Sequence, residues 1–334
     1  EYFNLTAANK TVNKLYKEHL VSTNQYIKSL GKRIEQNFLR SYGNAKFDRV
    51  IQFCGYEDEM ILLYSQFKGQ KTIWVHNDML AEIKTRSNQR KDLLEYAYHT
   101  YDNVVAVTDD IVAPTQILAG KDKKINIVKN TIDYKTIRAN GDLPIALDET
   151  TKCSVEPEKF YEIMQSDAKK FINVGRYSPE KGHDRLIDAF YKLWQKDNSI
   201  YLIIMGGNSR AKKYEELIEK VNEMGLSENV ILLLSVSNPY PIIKACDGFI
   251  LSSLYEGFGL VLAEADILGL PIVSTDITGP RTFMHKYGGT LIENSDDGVY
   301  NGLQMLYSGE VKPLNVDYEA YNQECVAEFE KLFE

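Results

Sequence analysis

The sequence predicts an α/β protein built from two doubly wound, parallel-sheet domains of the Rossmann-like type. The chain has 334 residues, which is enough for two domains with separate cores. Short apolar runs rich in β-branched residues alternate with segments of helical periodicity, a pattern typical of parallel sheets. The alternation breaks between residues 139 and 168 and then resumes. We therefore expect two domains with a ligand-binding cleft between them.

The first domain is expected over residues 1–150 and opens with a polar, helical segment. Four apolar runs that each end at a polar residue or Gly predict buried strands, at residues 49–55, 71–76, 103–108 and 125–130. Helical spacing fills the stretches between them. Because so few strands precede the break and the chain begins at Glu1, we interpret this domain as incomplete and the chain as a fragment.

The second domain shows the same alternation more regularly. Residues 151–168 are expected to be a linker, because the rhythm stops there and Pro and charged residues intervene. Strand and helix patterns then alternate over residues 169–313, beginning with KKFINVGR. Residues 314–334 have helical periodicity, and we expect this helix to cross back to the first domain.

Charge is distributed unevenly along the chain. The net charge is −8, which argues against nucleic acid as a partner. The first 170 residues carry +2 and the remainder −10, while the first 46 residues carry +5. An anionic acceptor, an anionic membrane surface and an ordinary solvated helix face all fit this basic patch.

Cysteine and apolar patterning limit the cellular setting. The four cysteines form no C-x-x-C pair and no neighbouring His cluster, so neither a zinc site nor a disulfide framework is indicated. No apolar run approaches the ~20 residues of a membrane span. The sequence favours the cytoplasm, with the inner face of the cell membrane as the alternative.

Residues 252–264, SSLYEGFGLVLAE, hold the most informative motif. Gly257 and Gly259 follow a predicted strand and precede a helix that starts near Leu260, so backbone N–H groups and the helix dipole converge on one anion site. Two carboxylates, Glu256 and Glu264, flank it. Since they would repel a phosphate, sugar or ribose hydroxyls are their natural partners. A plain turn and an exposed helix face form the alternative interpretation.

A second cluster lies at residues 174–182, VGRYSPEKG, again between a strand and a helix. Arg176 and Lys181 would supply fixed positive charge to a diphosphate, and Gly175 and Gly182 would allow close backbone approach. A metal-binding Asp-x-Asp motif is absent from the sequence, and the most similar run, the acidic triplet at residues 57–59, lies in the other domain. We therefore expect no metal.

These motifs resemble those of the retaining glycosyltransferases of family 4. GRYSPEKG is followed about 75 residues later by SLYEGFGLVLAEA, and the family carries two glutamates separated by seven residues, here Glu256 and Glu264. The resemblance is strong over 169–281 and extends to IWVHND and VKNTID in the first half. It implies the two-domain GT-B fold. TDITGPRTFMHKYGGTLIENS is similar, within the family, to Gram-positive enzymes of teichoic-acid and cell-envelope polymer synthesis.

The resemblance implies a role for each site residue. Arg176 and Lys181 would neutralise the departing diphosphate. Backbone groups would cradle the same phosphates, at Gly257, Phe258, Gly259 and Leu260.

Glu256 would hold hydroxyls of the donor sugar, and Glu264 would hold the ribose hydroxyls. Asn238 and Tyr240 would line the base pocket, with packing as the alternative for Tyr240. His76 would contact a sugar hydroxyl, although a plain core or surface histidine fits its spacing as well.

The implied activity is transfer of a hexose or N-acetylhexosamine from a nucleotide diphosphate sugar, a UDP-sugar by expectation, to a polyanionic or lipid-linked glycan. No cofactor is expected. Two rival functions remain open, a nucleotide-sugar epimerase of the same architecture and a catalytically impaired nucleotide-sugar-binding module. A nicotinamide oxidoreductase is disfavoured, because no G-x-G-x-x-G follows the first strand.

Overall fold

The computed structural model describes residues 14, 22–42, 46–85, 90–207, 211–257 and 259–334. The chain forms two compact units. The first unit comprises residues 1–130 and 325–334, and the second unit comprises residues 131–324. In the described part of the chain, no helix has the length and apolar character to cross a membrane.

The first unit holds a parallel sheet in which, among the described residues, four strands run in the order β1-β2-β3-β4. They are β1 (Arg49–Gln52), β2 (Gln70–Val75), β3 (Asn103–Ala106) and β4 (Ile125–Ile127). The helices are α1 (Thr23–Tyr42), α2 (Asp58–Tyr64), α3 (Met79–Thr85), α4 (Lys91–Thr100) and α5 (Asp109–Ala119). All recorded strand pairs are parallel, as the sequence predicts.

Helix α1 is amphipathic. Its apolar residues recur at helical spacing and are buried, namely Tyr26, Ile27, Leu30 and Ile34. Lys28, Lys32 and Arg33 lie on the exposed side. These cations belong to the basic N-terminal stretch, and Lys10 and Lys17 of that stretch lie outside the described residues.

The second unit holds the larger sheet, with seven strands in the described residues and the order β11-β10-β9-β6-β7-β8-β5. The strands are β5 (Lys152–Cys153), β6 (Lys170–Val174), β7 (Tyr201–Gly206), β8 (Val230–Leu234), β9 (Gly248–Leu251), β10 (Ile272–Thr275) and β11 (Thr290–Ile292). All pairs are parallel apart from the antiparallel edge strand β5.

Helices alternate with these strands along the chain, and several of them bury apolar residues in a core shared with the sheet. They are α6 (Tyr134–Gly141), α7 (Pro157–Gln165), α8 (His183–Trp194), α9 (Ala211–Glu223), α10 (Tyr240–Lys244), α11 (Leu260–Ile267), α12 (Pro280–Tyr287), α13 (Asp296–Ser308) and α14 (Tyr318–Lys331). Phe171, Phe190, Leu202 and Leu232 of the resulting core are fully buried. Strands buried on both faces explain the continuous apolar runs in the sequence.

The strand order positions the site. From β6 the chain moves outward to β7 and β8, then returns to the other side of β6 at β9. Strands β6 and β9 pair in parallel, so their carboxyl ends lie next to each other at the point where the winding reverses. In doubly wound sheets this is where ligands bind. The loops at 175–182 and 252–259 follow these two strands.

The compact units divide at a different place from the expected boundary at residue 150. Residues 131–150 belong to the second unit, where helix α6 lies. The expected linker at 151–168 contains β5 and α7, and β5 pairs with β8. A two-residue strand is too short to show a hydrophobic period, so no sequence pattern predicts it.

The C-terminal segment is helical, as expected. Asp266 in α11 is buried and accepts hydrogen bonds from the backbone N–H groups of Leu314, Asn315 and Val316 at 2.9 to 3.1 Å. This carboxylate fixes the segment that leads into α14. Residues 325–334 cluster with the first unit, and the preceding residues of α14 with the second.

Candidate functional site

The loop after β6 turns sharply into α8. It contains a single 3₁₀ turn, Pro179–Lys181, and then Gly182, whose φ of +66° is left-handed. A Cβ at Gly182 would lie 2.2 Å from the carbonyl oxygen of Ser252. Glycine is required here both for its backbone conformation and for the contact with the end of β9. The two strand-end loops are therefore packed together.

The loop after β9 ends at Gly259, which has φ +74° and precedes the first residue of α11, Leu260. The first N–H groups of a helix have no intrahelical acceptor. Gly257 is buried and Leu260 is exposed. The helix start predicted from the sequence is thus present, and an anion at this position would meet the positive end of the dipole. Phe258, also predicted to contribute here, lies outside the described residues.

Lys181 and Glu256 form an ion pair between the two loops. The Lys181 Nζ contacts Glu256 Oε1, and each side chain is only 13% exposed. The Lys181 chain also lies over Gly175, since a Cβ there would be 3.2 Å from its Cδ. The structure therefore brings together three residues that the sequence assigned to one site. It adds their direct pairing, which the motifs did not indicate.

A buried arginine holds the backbone at the end of β9, just before the loop that carries Glu256. Arg185 in the first turn of α8 is 8% exposed. It donates to the Ser252 carbonyl at 2.6 and 2.9 Å, the Ser253 carbonyl at 2.8 Å and Asn294 Oδ1 at 2.8 Å. Burial lowers the pKa of the Arg185 guanidinium, which nevertheless stays charged in proteins. Arg185 thus ties the end of β9 to α8.

Sequence reasoning missed Arg185, and one signal could have found it. A cation in the first turn of a helix opposes the helix dipole, so it indicates a specific acceptor nearby. Thr275 at the end of β10 was missed for another reason. Its hydroxyl donates to the Ser253 carbonyl at 2.7 Å, a contact that depends on strand order.

Arg176 is the less constrained of the two predicted cations. Its side chain is 52% exposed, and its Nη2 lies 3.4 Å from Glu180 Oε1. Glu180 is itself buried. The Arg176 guanidinium therefore remains accessible to solvent at the surface of the loop that follows β6.

Glu264 and Tyr240 lie within electrostatic range of each other. Burial raises the pKa of the Glu264 carboxyl above its ordinary value. Burial, and to a lesser extent the charges of Glu264 and Asp133, raise the pKa of Tyr240. A part-buried carboxylate beside a phenol can accept hydroxyl donors, which fits the predicted ribose contact.

Asn238 is engaged by the fold. Its Nδ2 donates to the Asn140 carbonyl at 3.0 Å, and its Oδ1 accepts from the Tyr240 backbone N–H at 3.4 Å. These bonds hold the start of α10 to the end of α6. The proposed base contact of Asn238 stays a prediction.

His76 follows β2 in the first unit. Its Nε2 lies 2.8 Å from the Phe53 carbonyl, and its ring meets the Phe53 ring edge-on with centroids 4.6 Å apart. Burial lowers the pKa of His76, opposed by the bond to Phe53. The imidazole is therefore neutral near pH 7, and its role toward a sugar stays a prediction.

His183 is a second histidine that the motifs did not single out. It is fully buried, and its Nε2 lies 3.1 Å from Asn173 Oδ1. Burial and the charge of Lys181 lower the pKa of His183 to about 3. It therefore stays neutral beneath the loop that carries Lys181. Over the described residues, no group of three or more potential metal ligands is present.

The family comparison concerns this same part of the chain. Residues 155–323, about half of the sequence, match the model of the family described as glycosyl transferases group 1. The matched region contains both strand-end loops, with Lys181, Arg185, Glu256 and Glu264.

Individual relatives are similar over most of the chain. An uncharacterized glycosyltransferase of Methanocaldococcus jannaschii is 32% identical over 67% of this chain and 54% of its own length. The N-acetylgalactosamine-N,N'-diacetylbacillosaminyl-diphospho-undecaprenol 4-alpha-N-acetylgalactosaminyltransferase of Campylobacter jejuni is 27% identical over 78% of this chain and 70% of its own. The chain thus spans about half the length of the M. jannaschii relative.

Solved structures support the fold. The crystal structure of Anabaena HepE in complex with UDP and glucose matches with a TM-score of 0.70 and 16% identity, over 91% of this chain and 81% of that one. The predicted fold class, α/β with two Rossmann-like domains as in GT-B proteins, is confirmed.

Proposed function

Since this chain belongs to the group 1 glycosyl transferases, we propose that it moves a hexose or N-acetylhexosamine from a UDP-sugar to a hydroxyl of a glycan acceptor, with retention of configuration. The observation that carries the proposal is the Lys181–Glu256 pair. It joins a cation and a carboxylate at adjacent strand ends, directly before the helix that starts at Leu260.

The charges of the site match the parts of a nucleotide diphosphate sugar. Lys181, Arg176 and the N–H groups at the start of α11 attract the diphosphate. Glu256 and Glu264 repel phosphate but accept hydrogen bonds from hydroxyls. By resemblance to the family's pair of glutamates, we assign the sugar hydroxyls to Glu256 and the ribose hydroxyls to Glu264.

The chemical step needs stabilisation of the leaving group. When the anomeric C–O bond to the diphosphate breaks, negative charge develops on the phosphate oxygen. Lys181 and the helix N-terminus oppose that charge from fixed positions, which is electrostatic preorganisation. The acceptor oxygen forms the new bond to the anomeric carbon on the same face of the sugar, and the departing phosphate oxygen takes the proton of that hydroxyl. We assign no protein nucleophile to Glu256 and no metal to the step.

The acceptor side of the proposal is a lipid-linked or cell-envelope glycan, teichoic acid included. The C. jejuni relative is named for transfer to a diphospho-undecaprenol-linked sugar. The exposed cations Lys28, Lys32 and Arg33 of α1 would face an anionic acceptor or the inner surface of the cell membrane. Co-sedimentation of the protein with anionic vesicles at low salt would support the membrane contact. Absence of co-sedimentation would contradict that contact.

The test is a transfer assay with UDP-glucose, UDP-galactose and their N-acetylated forms, with and without acceptors. Undecaprenyl-diphosphate-linked sugars and teichoic acid represent the two acceptor classes, and mass spectrometry follows products. We expect UDP release and a larger glycan, unchanged by EDTA. An epimerised UDP-sugar without acceptor, or binding with no turnover or hydrolysis on any acceptor, contradicts the proposal in favour of an epimerase or a binding module. Loss of activity with EDTA contradicts the metal-free step.

A further inference from the structure

The two recorded contacts of the Glu256 carboxylate fall on the same oxygen. Lys181 Nζ contacts Oε1, and the Ser253 hydroxyl lies 3.2 Å from that oxygen. Two donors on one carboxylate oxygen restrict rotation of the group. They leave the other oxygen, Oε2, to accept hydrogen bonds from elsewhere.

Ser253 is itself fixed in place. It is fully buried, and its carbonyl accepts from Arg185 Nη2 at 2.8 Å and Thr275 Oγ1 at 2.7 Å. These donors come from α8 and β10, on two different elements of the unit. The hydroxyl of Ser253 therefore approaches Glu256 from a rigid backbone.

We propose that Ser253 is a positioning residue that, with Lys181, orients Glu256 so that Oε2 accepts hydrogen bonds from the hydroxyls of the donor sugar. The proposal rests on the proposed function and deepens it, because it assigns sugar selectivity to this triad. Because Ser253 is fully buried, it acts on the donor only through Glu256. Its bond removes rotational freedom from Glu256 before the donor arrives, so less order is lost on binding.

A serine variant separates this role from a structural one. Ser253→Ala removes the hydroxyl bond and leaves Lys181 in place. We expect affinity for UDP-sugar to fall about fivefold, the worth of one hydrogen bond, while affinity for UDP alone stays within about twofold. Discrimination between UDP-glucose and UDP-galactose should fall as well. Titration calorimetry measures all three quantities.

The matched control is Ser274→Ala. Ser274 is also fully buried, in the same unit, but its hydroxyl bonds the Thr275 carbonyl at 3.0 Å rather than Glu256. This variant should leave the ratio of UDP-sugar to UDP affinity unchanged. Ser253→Thr keeps a hydroxyl and should restore the ratio.

Several outcomes overturn the inference. Equal weakening of UDP and UDP-sugar by Ser253→Ala would make Ser253 a structural residue only, and an unchanged ratio would mean that it does not act on the sugar. If Ser253→Ala fails to fold, the nearly isosteric Ser253→Cys, a weak donor, carries the same test. Wild-type protein that binds neither UDP nor UDP-sugar would instead overturn the proposed function, and the inference with it.

Discussion

The strand-end loops of the second unit are held differently from the strand end that carries His76 in the first unit. In the second unit, Arg185 and Thr275 fix the carbonyl of Ser253, and Lys181 is paired with Glu256. His76 rests against the carbonyl and ring of Phe53. Buried polar groups of the second unit itself therefore hold the proposed donor site in place.

Removing the central cation should have the largest effect. Lys181→Met deletes charge stabilisation of the leaving diphosphate, so we expect turnover to fall about 100-fold or more, roughly 3 kcal/mol. UDP affinity should change less. Steady-state kinetics and calorimetry measure both. Lys212→Met, at a lysine that is 88% exposed, is the control and should behave as wild type. Equal losses at the two lysines would show that Lys181 has no special role.

The two arginines of the site should differ in their effect on stability. Arg185→Met leaves the Ser252 carbonyl without its buried side-chain donor, while the Ser253 carbonyl keeps the bond from Thr275. The loss should lower the free energy of unfolding by about 3 kcal/mol. Arg176→Met alters a half-exposed side chain and should change it by less than about 0.5 kcal/mol. Urea denaturation gives both values. Similar values for the two variants would break the contrast between a buried support and a surface cation.

Acid should weaken the second unit through His183. Its pKa is about 3 in the folded protein and about 6.5 when unfolded, so between these values the unfolded chain binds more protons. His183 therefore contributes full stability above about pH 6.5 and loses it as the pH falls. We expect wild type to lose about 2 kcal/mol more than His183→Gln between about pH 7 and pH 5. Parallel pH profiles of the two proteins would contradict the assigned neutral state.

The first unit should contribute least to donor binding. His76→Ala should lower turnover about fivefold, roughly 1 kcal/mol, through a lost sugar contact, while UDP affinity stays unchanged. His99→Ala, at an exposed histidine of the same unit, is the control. A loss of UDP affinity in His76→Ala would show that nucleotide binding does not belong to the second unit alone.

The fold was predictable from the sequence because buried parallel strands leave continuous apolar runs, such as Val230–Leu234. The position of Lys181 and Glu256 at strand ends was predictable for the same reason. Their pairing was not, since it depends on β6 and β9 being neighbours. The role of Arg185 depends on carbonyls about 70 residues away, and no local pattern encodes such a contact.

The boundary between the units escaped prediction for a different reason. Residues 139–168 carry Pro, Gly and charged residues, which resemble a linker locally. Tertiary contacts instead make this segment part of the second unit, because β5 pairs with β8 and the Ser154 hydroxyl accepts a hydrogen bond from the Leu232 N–H at 2.9 Å. Such short elements are specified by what they pack against.

The central claim is that the second unit's strand-end loops and α11 bind a nucleotide diphosphate sugar. Titration calorimetry of UDP against wild type, Glu264→Gln and the exposed control Glu215→Gln tests it most directly. The account predicts stoichiometric binding to wild type and the control, and about tenfold weaker binding to Glu264→Gln, roughly 1.4 kcal/mol. Absence of UDP binding by wild type, or equal affinity in all three proteins, would contradict it.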